Sequence, residues 1–171
     1  MRPCHERIRA VPADTMPAPG QPAPSFSLPT TGGKTISLAD FTGKQAVVLY
    51  FYPEDDTPGC TKEACAFRDL GSQFAEAGAV ILGVSTDSVS SHEQFAGKFG
   101  LNFPLLADTD TAVSTAYGTW GEKNLYGRKS IGMTRATFVI DREGIVRKVF
   151  PRVKVDQHAD AVLEAVRSLK S

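Results

Sequence analysis

The sequence predicts a single domain of the α/β class. Two unbroken apolar runs, Ala46–Phe51 and Ala79–Val84, are typical of strands buried on both faces of a sheet. Between them, from Ala64 to Phe74, apolar residues recur at spacings of three and four, which indicates an amphipathic helix. This order predicts two parallel strands joined by a right-handed crossover. The chain of 171 residues is long enough to bury a core.

The N-terminal part is predicted to contain a tail and then a hairpin. Residues 1–20 combine scattered arginines and prolines with no apolar run, so we expect a flexible tail, neither a signal peptide nor a membrane span. Cys4, in this tail, is expected to be an incidental thiol. Residues 21–171 are predicted to form the domain. It begins with a short β-hairpin, because Pro24–Leu28 alternates and a Gly-Gly turn leads into Thr35–Leu38.

Two helices are predicted around the second apolar strand. The first follows strand Ala46–Phe51 and is expected to run to about Ala77. After the second strand, Ser90-x-x-Glu93 resembles a capping box that begins another helix. His92 and the polar residues near it are assigned to the solvated face of that helix.

The C-terminal part is predicted to add strands, a loop and a covering helix. Residues 118–132 are dotted with glycine and are expected to form a long loop of the kind that is often functional or mobile. Trp120, within it, is expected to pack rather than to take part in chemistry. The other elements predicted are a strand in Asn102–Asp108, a helix over Thr111–Tyr117, a hairpin of strands Arg135–Ile140 and Ile145–Phe150, and a helix from about Asp156.

The composition excludes several classes of partner. Nineteen Lys and Arg balance nineteen Asp and Glu, so no net field favours nucleic acid or an anionic membrane surface. Three cysteines are too few for a disulfide framework. The three histidines and the cysteines stand at no metal-ligand spacing, so no metal site is predicted.

The chemistry of the chain is concentrated in the stretch Pro53–Cys65. Thr57-Pro58 is a helix-start signal, which places Cys60 in the first turn of a helix. There the free amide groups and the positive end of the helix dipole favour an anion, so a thiolate is stabilised over a thiol. A cysteine on an apolar stripe is otherwise most often a small buried hydrophobe, but the residues that frame Cys60 favour a nucleophile.

Cys65 lies on the same predicted helix, five residues further on. In an intact helix the two Cα atoms would be roughly 8 to 9 Å apart, which exceeds the limit of about 7 Å for a disulfide. Cys60 and Cys65 can therefore bond only if this part of the helix unwinds. The missing Cys-x-x-Cys pair argues against an ordinary dithiol oxidoreductase.

These residues resemble a known family. The pattern Pro53-x-x-x-Thr57-x-x-Cys60 resembles the active-site signature of the peroxiredoxins. Three stretches resemble their Q-type subfamily, also called bacterioferritin comigratory proteins: Thr57–Cys65, Tyr117–Gly127 and Arg135–Asp141. The resemblance implies a thioredoxin-like fold, in which helices flank a central mixed sheet. It also implies reduction of hydrogen peroxide and organic hydroperoxides, with no metal, haem or flavin.

The resemblance also implies a role for each residue of the motif. Cys60 would be the peroxidatic cysteine, which attacks the peroxide and becomes a sulfenic acid. The Thr57 hydroxyl would hydrogen-bond the sulfur and the peroxide, and Arg135 would hold the thiolate and polarise the departing oxygen. Pro53 would shield the substrate pocket from water, and Gly59 would be part of that pocket.

The second cysteine implies how the enzyme would be recycled. In Q-type members with two cysteines on one helix, the second is the resolving cysteine, so the resemblance implies an intramolecular disulfide between Cys60 and Cys65. Thioredoxin is the usual donor in the family, and glutaredoxin or a small thiol would serve as well. An intramolecular partner favours a monomer, and the need for reduction favours the cytoplasm.

Two other functions use the same pair of thiols. The disulfide of Cys60 and Cys65 would switch a redox sensor or binding module, which would show one slow oxidation rather than many turnovers. Alternatively, the pair would exchange disulfides with protein substrates without peroxide. The spacing of the cysteines favours this last function least.

Overall fold

The computed structural model describes residues 16–125 and 127–169. Its strands in chain order are β1 (Ser27–Thr30), β2 (Lys34–Ser37), β3 (Ala46–Phe51), β4 (Ala79–Ser85), β5 (Leu105–Ala107), β6 (Trp120–Leu125), β7 (Arg128–Met133), β8 (Ala136–Ile140) and β9 (Val146–Phe150). Its α-helices are α1 (Pro58–Asp69), α2 (Gly71–Glu76), α3 (Val89–Phe99), α4 (Ala112–Ala116) and α5 (His158–Arg167). The predictions made for residues 1–15, including Cys4, fall outside the described residues.

Seven strands form one mixed sheet in the order β2-β1-β5-β4-β3-β8-β9. The neighbours β3, β4 and β5 run parallel, and the other pairs are antiparallel. Helices α1, α2, α3 and α5 contribute to an apolar cluster on one face of the sheet, and a second cluster covers the other face. The predicted α/β class, the central mixed sheet and the N-terminal hairpin are therefore confirmed.

Strand β3 is the centre of both clusters, and its bounds are the predicted ones. All six of its residues are buried. Val48 and Tyr50 belong to the cluster under the helices, whereas Val47, Leu49 and Phe51 belong to the cluster on the opposite face. Because alternate side chains of a strand point to opposite faces, an unbroken apolar run suits a strand that is covered on both sides.

The first described residues contact the domain. Met16 is buried, and a β-carbon at residue 118 would lie 2.9 Å from the Met16 nitrogen, which Gly118 avoids. The Gly20 amide donates to the Val146 carbonyl oxygen at 2.7 Å. The division of the chain at residue 20 stays a prediction. No helix in the described part of the chain combines the length and the apolarity that crossing a membrane requires.

The prediction of one helix as far as Ala77 is wrong, because the chain breaks at Leu70 into α1 and α2. Leu70 leaves helical geometry, with φ −99° and ψ 8°. Asn102 supplies the reason: its Nδ2 donates to the Arg68 carbonyl oxygen at 3.2 Å. A continuous helix would use that carbonyl for the amide four residues on.

The start of α3 also differs from its prediction. Ser88, and not Ser90, caps the helix, because the Ser88 Oγ accepts from the Ser91 amide at 3.1 Å. Glu93 was predicted to close a capping box. It accepts instead from the Gly32 amide at 3.3 Å and so connects α3 to the turn between β1 and β2. The side chain that the local pattern assigned to the helix cap thus makes a tertiary contact instead.

His92 is buried, so its assignment to a solvated face is wrong. Its side chain is fully inaccessible to solvent. Its Nδ1 lies 2.7 Å from Asp55 Oδ2, and its Nε2 lies 2.9 Å from the Leu106 carbonyl oxygen. The partners are on other elements, which helical spacing alone does not reveal. Lys98, further along α3, is exposed and pairs with Asp56 at 3.0 Å.

The predicted loop over residues 118–132 is mostly a β-hairpin. Strands β6 and β7 pair antiparallel along their whole lengths as a separate two-stranded sheet. The Thr134 amide donates to the Thr119 carbonyl oxygen at 2.7 Å and closes the base of the hairpin. Trp120 is partly buried against the second apolar cluster, as expected. The closed hairpin fixes the position from which the chain continues to Arg135.

Candidate active site

Cys60 lies in the first turn of α1, as predicted. Thr57 has the extended backbone of a helix N-cap (φ −97°, ψ 157°), and Pro58 follows as the first helical residue. Cys60 is therefore the third residue of the helix, and only 1% of it is exposed. Cys60 thus belongs to the turn whose first amides have no carbonyl partner within the helix.

The Thr57 hydroxyl differs from its prediction as a cap. It donates to the Glu54 carbonyl oxygen at 3.0 Å and does not accept from the amides of the helix in the described structure. The Thr57 carbonyl accepts from the Thr61 amide at 2.8 Å, which is the first bond of the helix. This hydrogen bond thus joins two residues of the loop of residues 52–57 to each other. Pro53, at the start of this loop, is exposed.

Sheet register places Arg135 at the same end of the sheet as this loop. Phe51, the last residue of β3, pairs with Ala136, the first residue of the antiparallel strand β8. Arg135 directly precedes Ala136, so it stands beside the point where the chain leaves β3. Its carbonyl accepts from the Val153 amide at 3.1 Å, which fixes its backbone. The predicted meeting of Arg135 with the first turn of α1 therefore follows from strand pairing.

The Arg135 guanidinium lies between a carboxylate and the cysteine. Its Nη1 donates to Glu63 Oε1 at 2.7 Å. Burial lowers the pKa of Arg135, but the Glu63 carboxylate and the Cys60 sulfur outweigh burial and hold that pKa above its ordinary value. The guanidinium is thus a permanent, partly desolvated cation next to the sulfur.

Gly59 makes this approach possible. A β-carbon on residue 59 would lie 3.2 Å from Nη2 of Arg135 and 3.9 Å from its Cζ. Contacts as short as 3.2 Å are rare, so any larger residue would push the guanidinium away. Gly59 was predicted as a pocket residue, and the structure gives a steric reason for the absence of a side chain at this position.

Glu63 is a site residue that the sequence analysis missed. It is 1% exposed, and burial raises its pKa to about 7 even though Arg135 acts to lower it. Its other oxygen, Oε2, has no hydrogen-bond partner among the described residues. The available signal was an acidic residue on the buried stripe of α1, three positions after Cys60, where an apolar residue would be expected.

A neutral histidine lies on the far side of Glu63. His158 Nε2 is 4.0 Å from Glu63 Oε2 and 2.8 Å from Thr137 Oγ1. Burial and the charge of Arg135 lower the pKa of His158 to about 4. The contact with Glu63 is therefore not an ion pair at neutral pH, and Arg135 is the charged partner of that carboxyl.

Cys65 is not brought together with Cys60. Both residues lie in the intact helix α1 as free thiols, Cys60 buried and Cys65 half-buried. The end of α1 beyond Cys65 is held firmly, because Arg68 Nη1 donates to the Phe99 carbonyl oxygen at 2.6 Å. The structure thus has the reduced, folded arrangement, in which the helix separates the two sulfurs.

Comparisons with known proteins find relatives over most of this chain. The model of the AhpC/TSA family matches residues 19–149. A relative in Coxiella burnetii is 54% identical over 144 residues, which are 84% of this chain and 95% of that protein. Peroxiredoxin Bcp of Bacillus subtilis is 46% identical over 151 residues, 88% of this chain and 94% of that protein.

A solved structure shows the same fold. That of the Xanthomonas campestris bacterioferritin comigratory protein superposes with a TM-score of 0.80 at 41% identity, covering 94% of this chain and 97% of that one. The thioredoxin-like fold implied by the sequence is therefore confirmed. The chain belongs to the AhpC/TSA family and, within it, to the peroxiredoxins, the thiol-dependent peroxidases, of the Bcp or Q type.

Proposed function

We propose that this peroxiredoxin reduces hydrogen peroxide and organic hydroperoxides at Cys60 and resolves the oxidised cysteine through Cys65. The observation that carries the proposal is the Arg135 guanidinium beside Cys60 at the start of α1. A helix N-terminus and a fixed cation both favour the thiolate, which is the nucleophilic form of cysteine. The Xanthomonas relative is described through its alkyl peroxide reduction activity, which supports organic hydroperoxides as substrates.

In the first step, the Cys60 thiolate attacks the terminal oxygen of the peroxide. A sulfur–oxygen bond forms while the oxygen–oxygen bond breaks, and the departing oxygen leaves with the electron pair. It takes a proton and becomes water or an alcohol, and Cys60 becomes a sulfenic acid. Arg135 and the Thr57 hydroxyl stabilise the charge that develops on the departing oxygen. Pro53 shields the pocket, and Gly59 leaves room for the guanidinium.

In the second step, α1 unwinds and Cys65 reaches Cys60. The Cys65 thiolate attacks the sulfenic sulfur and displaces hydroxide, which leaves as water after protonation, and a disulfide remains. Unwinding is required because the Cα atoms of residues five apart in a helix are separated by roughly 8 to 9 Å. An external dithiol then reduces the disulfide, and thioredoxin is the donor that we propose.

The resolving pair also determines the proposed assembly and compartment. Because both cysteines belong to one chain, turnover needs no second subunit, so we propose a monomer. Because the disulfide must be reduced after every turnover, we propose the cytoplasm, where thiol reductants are maintained.

The experiment compares Cys60→Ser and Cys65→Ser with the parent protein. Cys60→Ser is expected to abolish peroxide consumption. Cys65→Ser is expected to consume about one equivalent and form a sulfenic acid, detected by a dimedone-type reagent, and then to stop cycling with thioredoxin. Equal loss of the first turnover in both variants would contradict the division of roles. Turnover by the parent protein limited to one slow oxidation would favour a redox sensor instead.

A further inference from the structure

Asp55, in the loop between β3 and α1, is the centre of a buried hydrogen-bond network. Its Oδ1 accepts from the Tyr52 hydroxyl at 2.6 Å. Its Oδ2 accepts from Ser91 Oγ at 2.7 Å and lies 2.7 Å from His92 Nδ1. Its backbone amide donates to Asp87 Oδ2 at 2.8 Å. Ser91 and His92 lie on α3, and Asp87 lies between β4 and α3, so these contacts tie the loop to the neighbouring part of the fold.

Both ring nitrogens of His92 face acceptor oxygens. Nε2 lies 2.9 Å from the Leu106 carbonyl oxygen, and Nδ1 lies 2.7 Å from Asp55 Oδ2. Burial raises the pKa of Asp55, but hydrogen bonds from His92 and Tyr52 outweigh burial and hold that pKa below its ordinary value. The imidazole ring is therefore held at both nitrogens, by the loop on one side and by β5 on the other.

A buried contact between two ionisable side chains is a poor way to gain stability. Burying two charges costs several kcal/mol, and replacing a buried pair with apolar residues is often neutral or stabilising. What such a pair does provide is a fixed geometry, because each buried polar group requires the other as its hydrogen-bond partner. A loop in another conformation would leave both groups without that partner. Asp55 stands two residues before Thr57 and two after Pro53, so its position determines theirs.

We propose that Asp55 and His92 are positioning residues for the peroxide reaction of Cys60. The hydrogen-bonded pair anchors the loop of residues 52–57 to α3 and β5 and thereby fixes the positions of Pro53 and Thr57 ahead of Cys60. The anchor lies outside α1, so it keeps this side of the pocket in place while the helix unwinds and refolds in each cycle. This inference rests on the proposed function of Cys60.

The test measures the second-order rate constant of Cys60 with hydrogen peroxide for Asp55→Asn, His92→Phe and the double variant. The rate constant, calculated per folded protein molecule, is expected to fall about tenfold or more in each single variant. The double variant is expected to be no slower than the slower of the two single variants. Alkylation of Cys60 by iodoacetamide needs a thiolate but no placed peroxide. Its rate constant is expected to change by less than about threefold, which is roughly the scatter of additive effects.

The matched control is Asp56→Asn, one residue along the same loop. Asp56 has φ 61°, a conformation that asparagine also tolerates, and its ion pair with Lys98 is exposed. Its peroxide rate constant is expected to stay within about twofold of the parent, because exposed pairs contribute little. Unchanged peroxide rates in native Asp55→Asn and His92→Phe would overturn the positioning role and leave only a structural pair.

A second measurement keeps the proposal testable if a variant does not fold. Nitrogen-15 spectra of the parent protein are expected to show a His92 ring whose nitrogen-bound hydrogen is protected from exchange, because both ring nitrogens are hydrogen-bonded in the interior. A His92 ring that exchanges freely with solvent would overturn the anchor and the inference with it. A parent protein that does not react with peroxide would refute the proposed function as well, whereas an active parent with unaffected variants refutes only the inference.

Discussion

Gly59 faces the Arg135 guanidinium with no side chain between them: a β-carbon at residue 59 would lie 3.2 Å from Nη2. The absence of a side chain on one residue thus determines how closely a cation on another strand approaches Cys60. A reaction that depends on charge stabilisation at the departing oxygen is sensitive to a shift of a few tenths of an ångström.

We therefore predict that Gly59→Ala lowers the rate constant of Cys60 with peroxide by about tenfold or more while the fold stays intact. Stopped-flow measurement of a single turnover checks the rate, and urea unfolding checks the fold. Gly97→Ala is the control, because nothing lies within 4 Å of its β-carbon position in α3. That variant is expected to keep its rate and to gain up to about 1 kcal/mol of stability. Equal rates in the two variants would contradict the steric argument.

The raised pKa of Glu63 predicts a pH-dependent stability. The carboxyl titrates at about 7 in the folded chain and at 4.5 in the unfolded chain, so the folded state binds the proton more tightly. Its stabilising contribution is fully present below pH 4.5 and is lost as the pH rises through 7. The total change is about 3 kcal/mol.

We predict that the difference in unfolding free energy between the parent protein and Glu63→Gln follows this course. Urea unfolding at a series of pH values is expected to show the unfolding free energy of the parent falling relative to that of Glu63→Gln between pH 4.5 and 7, because the glutamine does not titrate. His158 has the opposite sign: its pKa is lowered to about 4, so its contribution is lost as the pH falls from 6.5 to 4, in both proteins. A difference that stays constant over the range would show that Glu63 is not protonated near neutrality.

Thr57→Val is predicted to lower the peroxide rate constant by about a hundredfold, the usual cost of removing one donor from a charge-stabilising site. The hydroxyl donates to the Glu54 carbonyl in this structure, and we expect it to donate instead to a bound peroxide. Thr57→Ser keeps the donor and is expected to retain most of the rate. Thr61→Val, in the next turn of α1, is the control. A serine variant as slow as the valine variant would assign the effect to packing instead of hydrogen bonding.

Much of this site could be predicted because the signals are local. The apolar run of β3 was predicted to the residue, since a strand covered on both faces needs no polar alternation. Thr57-Pro58 located the start of α1 and, with it, the placement of Cys60. The position of Arg135 came from the resemblance, and the pairing of Phe51 with Ala136 explains it physically.

The residues that were missed all act through tertiary contacts. Glu63 and His92 are ionisable residues at helical spacings, and such residues usually lie on a solvated face. Only the fold reveals that Arg135 binds Glu63 and that Asp55 lies beside His92. The break of the helix at Leu70 has the same origin, because the side chain that competes for the helix carbonyl comes from Asn102, on another element.

The last prediction concerns where α1 unwinds. Phe67 is fully buried and stacks on Tyr50 with ring centroids 4.7 Å apart, and Arg68 is bonded to Phe99. Unwinding should therefore stop before Phe67, because releasing that ring would cost about 3 to 5 kcal/mol of burial. The first two turns hold Cys60 and Cys65, and unwinding them would release the exposed pair of Lys62 with Asp156 and the bond of Glu63 to Arg135.

We predict that oxidation by one equivalent of peroxide removes amide protection from residues 61–66 while the amides of α3 keep theirs. Hydrogen exchange measured by NMR on the reduced and oxidised protein checks this. Cys65→Ser is the control: it forms the sulfenic acid but no disulfide, so its helix is expected to stay protected after the same treatment. If the amides of residues 61–66 stayed protected in the oxidised parent protein, Cys60 and Cys65 could not be joined, since an intact helix keeps their Cα atoms roughly 8 to 9 Å apart. The resolving thiol would then have to be Cys4 or come from outside this chain.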